Sequence, residues 1–277
     1  MSRVALIQIP YDSGHYKSRM GNGPSALIEH GLADQLRSRC EVEVVEVRLP
    51  DGFHSEAQAL VQLQRAATAA GRDAIKRNAR PIFLSGNCGT AALSATAAIG
   101  SGKTGVVWFD AHGDCNTPET SPSGFLDGMC LATLTGQCWS NLRKLFDGFM
   151  AIPGDRIIQV GVREVDPEEE LIRRSLNIRS ISSGQLDRLA EEIDGLTKRT
   201  DQLYVHLDAD VLDLTEGSAN SYACAGGLTR PQLNDCLRSL GGTGRIAAAS
   251  ITSYDPAGDP DGRIAEILLE AAGILAA

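Results

Sequence analysis

No segment of this 277-residue chain approaches the ~18 consecutive apolar residues that a bilayer-spanning helix needs, so no membrane partner is expected. The opening MSRVALIQIPYDSG carries one arginine and an apolar run too short for a signal peptide, and a cytoplasmic location is expected. Cysteine occurs seven times, an odd count, with no Cys-x-x-Cys pair. That excludes a zinc ribbon or a disulfide framework and suits reduced thiols. Basic residues fall short of acidic ones, 26 against 35, giving a net charge of −9. Nucleic acid and anionic membrane surfaces are therefore poor partners. No repeat or low-complexity linker interrupts the chain, and residues 1–277 read as a single domain. Two apparent motifs also fail. GSGKTG (100–105) has Ala97 where a phosphate loop needs glycine, and it precedes a strand instead of following one. HLDADVLDLTEG puts Leu212 at the third ligand place of a calcium loop.

What is present is a core. Apolar residues make up 43% of the chain and charged residues 22%, as in a soluble globular protein. Eight β-branched, apolar runs read as strands: 4–10, 42–49, 81–86, 104–112, 156–162, 178–182, 202–210 and 245–255. Amphipathic stretches such as EAQALVQLQRAATAAGRDAIKRN, DPEEELIRRSLN and GQLDRLAEEIDGLTKR lie between them. This alternation predicts an α/β fold with a parallel sheet covered by helices on both faces. Ligands of such sheets bind outside the carboxyl ends of the strands. Cys88 follows PIFLSG; Asp110, His112 and Asp114 follow TGVVWF; Asp208, Asp210 and Asp213 follow QLYVHL; Ser253 and Asp255 close the last run.

The stretch WFDAHGDCNTPE (108–119) sets two carboxylates and an imidazole at alternate positions, which a strand would aim to one face. A surface turn accounts for such a pattern alone. With HLDADVLD, five carboxylates and two imidazoles gather at one sheet edge. Buried carboxylates without compensation cost several kcal/mol each or shift upward in pKa. Two divalent cations ~3.5–4 Å apart remove that cost and can clamp both ends of a hydrolysis. Oxygen-rich donors with one imidazole suit Mn²⁺. His206, on the strand before Asp208, reads as a packed core histidine, with support of the ligands as the alternative. Trp108 reads as sheet core, His15, His30 and His54 as surface groups, and Cys224 has no assigned role.

Strand–DAHGD, strand–HLDADVLD, the later AGGLT and the closing SYDP together resemble the arginase–agmatinase superfamily, the manganese-dependent ureohydrolases, over nearly the whole chain. The resemblance implies a three-layer α/β/α fold with an eight-stranded parallel sheet, two Mn²⁺ per chain and a trimeric or hexameric homo-oligomer. It makes Asp110 and Asp208 bridging ligands, His112 and Asp210 ligands of one ion, and Cys88 and Asp114 ligands of the other. Asn116 and Ser123 match groups that hold a substrate α-carboxylate, as in the arginase loop that DCNTPETSPSG is similar to. Asp166 and Glu169 match groups that meet an α-amino group, so agmatine is disfavoured.

Three departures fall on working positions. GGxHS reads SGNCG, which puts Cys88 at the first ligand position; a thiolate there favours Zn²⁺, Fe²⁺ or Co²⁺. The alternatives are a weak or empty first site, or a cysteine that is a small buried hydrophobe. Asp127 replaces a proton-shuttling histidine and, with Asp114, is the expected catalytic residue; a helix N-cap is its other reading. Ser253 stands where a glutamate pairs with the guanidinium, and serine has no charge to offer. Asp127 or Asp255 is left to compensate. The expected activity is hydrolysis of a guanidino amino acid by metal-bound hydroxide. L-arginine or Nω-hydroxy-L-arginine would give ornithine plus urea or hydroxyurea, and the cysteine is similar to the hydroxyarginine hydrolase branch. The competing readings are another guanidino or formimino acid and a non-catalytic metal-binding descendant.

Overall fold

Each of the eight apolar runs forms a strand of one sheet, with all neighbours parallel. They are β1 (Arg3–Ile9), β2 (Glu41–Glu46), β3 (Arg80–Ser85) and β4 (Thr104–Phe109), then β5 (Ile157–Val160), β6 (Arg179–Ile181), β7 (Gln202–Asp208) and β8 (Ile246–Thr252). The order across the sheet is β2-β1-β3-β8-β7-β4-β5-β6. The computed structural model describes residues 2–50 and 52–277. Among these no helix is long and apolar enough to cross a membrane.

Central strands carry apolar residues on both faces because both are covered. β4 is buried at all six positions, whereas the edge strand β2, EVEVVE, buries none fully. One layer holds α1 (Gly23–Glu29), α2 (Leu32–Arg37), α8 (Leu189–Thr197), α9 (Arg230–Gly241) and α10 (Arg263–Ala276), packed on Val107, Phe109, Val205 and Leu207. The other holds α3 (Glu56–Lys76), α4 (Cys88–Ile99), α5 (Cys130–Thr135), α6 (Ser140–Arg143) and α7 (Pro167–Ser175), with Val106, Trp108, Tyr204 and Phe83 beneath. This is the three-layer α/β/α arrangement that the sequence predicts.

Period-2 alternation then decides which polar groups meet. Trp108 leads to Asp110 on the α4 side, and Tyr204 leads to His206 and Asp208 on the same side. Register pairs Trp108 with His206 and, across the other edge of β7, Ser250 with His206 and Thr252 with Asp208. α4 starts three residues after β3 and drops Cys88 over this row.

The predicted strands 104–112, 202–210 and 245–255 overrun the ladder, which stops at Phe109, Asp208 and Thr252. Beyond those points the chain turns away; Asp114 (φ 52°) and Ser253 (φ 61°) adopt left-handed backbone. The residues that leave the ladder are those the sequence singles out for chemistry.

Candidate metal centre

All twelve predicted site residues line one cavity of about 450 Å³ at the carboxyl edge of the sheet: Cys88, Asp110, His112, Asp114, Asn116, Ser123, Asp127, Asp166, Glu169, Asp208, Asp210 and Ser253. At its floor, two groups each place one donor atom per residue inside 4.8 Å of the others; all members but the fully buried His206 line the cavity. One is Cys88, Asp110, His206 and Asp208; the second is Asp110, His112 and Asp210. Asp110 belongs to both. Asp114 belongs to neither, although its side chain faces the same cavity.

The backbone and neighbouring side chains hold these donors in place. Asp110 accepts from the His112 amide at 2.7 Å and from the Trp108 indole at 3.0 Å. Asp208 accepts from the Asp210 amide at 2.9 Å, and the Cys88 thiol donates to its other oxygen at 2.8 Å. Asp210 accepts from the Ala111 amide at 3.3 Å and the Asn220 side chain at 3.2 Å.

Burial, and then the neighbouring carboxylates, push Asp114, Asp208 and Asp210 above the usual carboxylate range. Burial, with Asp208 and Asp127 added, likewise holds Cys88 as a thiol. For His112 burial opposes charge, but the hydrogen bond to Asp110 and the charges of Asp210, Asp110 and Asp208 prevail, raising it to about 10. Burial alone would raise Asp110; the adjoining His112 outweighs it and holds the carboxyl low. His206 goes the other way. Buried and stacked on Trp108 with ring centroids 3.6 Å apart, it falls to about 3 and is neutral. The imidazolium of His112 thus lies 3.3 Å from Asp110 and 3.5 Å from Asp210, as a cation among crowded acids.

That crowding is the test of whether metal ions fit. Three carboxylates with raised or opposed titration, two imidazoles and a thiol converge on two overlapping centres, with Asp114 facing the same cavity, and divalent cations would discharge them. The donor set fits.

At the substrate end, Asn116 donates to Asp166 at 2.9 Å. Glu169 is buried; it accepts from the Cys115 and Asp166 amides, at 2.7 and 3.1 Å, as half of a capping box on α7. A Cβ on Gly113 would come 2.6 Å from this carboxylate, so a larger residue there would displace Glu169 from the amides it accepts. Ser123 accepts from the Phe125 amide at 3.2 Å.

Asp127 does not cap the helix that follows it. Its carboxylate instead accepts the Cys88 and Gly89 amides, at 3.0 and 2.7 Å, and the Asn87 side chain at 3.0 Å. It therefore caps α4, which has no side-chain cap from Asn87. Burial raises Asp127 to about 6, with those amides opposing. Ser253 Oγ lies 3.3 Å from Cys88 Sγ. Asp255 does not line the cavity; it accepts the Ala257 amide in a 3₁₀ turn. Asp213 also lies outside, bonded to Thr215, Gly226 and Gly227.

Sequence reasoning missed three groups and held a fourth, His206, only as an alternative. Phe125 and Tyr222 stack at 5.8 Å on the cavity wall, with Tyr222 edge-on to His112. Arg163 donates to the carbonyls of Asp210, Cys224 and Ala225 at 2.8–3.0 Å. His206 joins the first donor group. Only His206 had a signal: it stands two residues before Asp208, on the same face.

The Arginase family model matches residues 2–275. An arginase of Bacillus caldovelox is 27% identical over 99% of this chain and 98% of its own length. An arginase of Staphylococcus aureus (strain COL) is 27% identical over 95% and 93%. The solved native structure of the Bacillus caldovelox arginase superposes with a TM-score of 0.88, at 26% identity, over 99% and 98% of the two chains. The family match and the arginase relatives make the chain an α/β hydrolase of carbon–nitrogen bonds in linear amidines, of a metal-dependent class. More particularly, the chain belongs to the arginase family.

Proposed function

We propose that the protein hydrolyses the guanidino group of an arginine-type amino acid, with Nω-hydroxy-L-arginine preferred to L-arginine. The products are ornithine and hydroxyurea, or ornithine and urea. The reading is carried by Ser253. A neutral hydroxyl lines the wall where the resemblance places a glutamate, and Asp255 is turned away to cap its own turn. An N-hydroxyguanidine is a weaker base than a guanidine and loses less without a carboxylate partner.

Cys88, Asp110, Asp114, Asp208, His112 and Asp210 are the residues that would hold two divalent ions. The ions supply Lewis-acid charge that makes water nucleophilic at neutral pH. Asn116 and Ser123 bind the α-carboxylate through an amide and a hydroxyl. Asp166 and Glu169 face the α-ammonium. Phe125 and Tyr222 exclude water from one wall. Asp127, raised to about 6 and still ionised at neutral pH, is placed to take up a proton and pass it to the departing amine of ornithine.

The test is ornithine release from both substrates with Mn²⁺, Co²⁺, Zn²⁺ and Fe²⁺ in turn. Hydroxyurea formed faster than urea supports the preference, and the reverse overturns it. No product with any ion, while ions bind, would favour a non-catalytic binding module.

A further inference from the structure

We propose that His206 is a metal ligand, adding a nitrogen to the thiol of Cys88 and the carboxylates of Asp110 and Asp208 in a site for a borderline cation such as Zn²⁺, Fe²⁺ or Co²⁺. One atom from each of the four lies within 4.8 Å of the other three. Tetrahedral donors ~2.0–2.3 Å from a shared ion stand roughly 3–4 Å apart, so small side-chain movements close the set.

The orientation of the ring supports this. Nδ1 is held by Ser250 Oγ at 2.8 Å and by the Tyr204 hydroxyl at 3.0 Å, and those two hydroxyls touch each other at 2.7 Å. Ligating imidazoles are fixed in the same way, by a hydrogen bond on the nitrogen that does not bind. Nε2 faces Thr252 Oγ1 at 3.3 Å, and that oxygen lies 3.2 Å from Cys88 Sγ. This edge of the ring is thus turned toward the thiol, with the Thr252 hydroxyl bridging the two. Stacking on Trp108 would serve a packing histidine equally well with the polar edge elsewhere. It does not account for three hydroxyls arranged around the ring beside a thiol and two acids.

All four residues are at most 3% exposed, whereas the His112 side chain is 32% exposed. The His206 position is therefore the enclosed one and the His112–Asp210 position the open one, with Asp110 common to both. On binding, the proton that Cys88 donates to Asp208 leaves to solvent, and the thiolate takes the ion. The Thr252 hydroxyl is then free to donate to sulfur. The mixed donor set selects borderline over hard ions.

The inference rests on the metal centre of the proposed reaction and is independent of its substrate. The chain has five histidines, so ¹⁵N-imidazole spectra of the unmodified protein resolve the question as Zn²⁺ is added to the metal-free form. Two rings, His112 and His206, should shift; a response from His112 alone overturns the proposal. With Co²⁺, a thiolate charge-transfer band should saturate at one equivalent. H206N should weaken that equivalent by at least about tenfold, and H112N should leave the band in place. An unchanged band and affinity in folded H206N would equally overturn it. If H206N does not fold, the spectra of the unmodified chain still decide. Absence of ornithine would sink the catalytic reading and leave these spectra unaffected.

Discussion

Ser253 and Cys88 differ from their expected counterparts by a charge and by a donor atom, and each change has its own readout. Ser253→Glu restores a carboxylate to the wall that now holds a hydroxyl 3.3 Å from Cys88. A charge-assisted bond is worth about 1.5–3 kcal/mol, so the variant should raise kcat/KM for L-arginine relative to the hydroxylated substrate by roughly 10–100-fold. Paired initial-rate assays on the two substrates measure the ratio. Cys88→His exchanges a soft donor for an imidazole and should increase Mn²⁺ affinity, read by calorimetric titration. Unchanged affinity would remove position 88 from the ligands. The carboxylates of DAHGD and HLDAD were legible from their spacing at two strand ends, although the strands stop at Phe109 and Asp208 and turns, not alternation, bring Asp114 and Asp210 in. His206 was not, because a histidine inside YVHL looks like core until Ser250 and Tyr204 are seen holding it. Tyr222 and Arg163 sit in loops, where no period links them to the cavity.

Loops between elements carry most of the remaining information. The segment after β7 is tied down from two sides. Arg163 donates to the carbonyls of Asp210, Cys224 and Ala225, and Asp213 accepts from Thr215, Gly226 and Gly227. Lysine cannot reproduce the guanidinium fork. Arg163→Lys should therefore loosen Tyr222 and the loop, raising KM several-fold with a smaller change in kcat. Steady-state kinetics separates the two. The Thr215 amide and hydroxyl, and then the glycine amides, draw Asp213 down to about 2 from 3.8. A depressed carboxyl stabilises the fold above its unfolded pKa and loses that contribution as pH falls through the folded value. The Tm gap between wild type and Asp213→Asn should thus be full at pH 6 and close between pH 3.8 and 2. Thermal melts across that range check it. All eight strands were readable from β-branched runs. α4 was not named among the helices, because it is buried nearly all round and shows little periodicity. The strand ends were overcalled because the residue pattern goes on alternating in the sequence after the backbone has left the ladder.

Across the whole molecule, the sheet places a dense group of buried acids at one edge and leaves one strongly shifted imidazolium among them. Cations that bind only the folded chain stabilise it by mass action, about 2.7 kcal/mol at a hundredfold excess over Kd. Chelation should lower Tm by roughly 5–10 °C, and divalent ions should restore it. A melt indifferent to chelator would contradict the donor geometry. The trimer or hexamer that the resemblance implies predicts sedimentation at three or six times the 29.4 kDa chain mass.

One carboxylate, Asp110, stands in both donor groups. Occupancy of either position then alters the charge and angle that the other is offered, and by thermodynamic reciprocity each ion changes its neighbour's affinity by an equal factor. Loading should follow an order, the enclosed position against the open one.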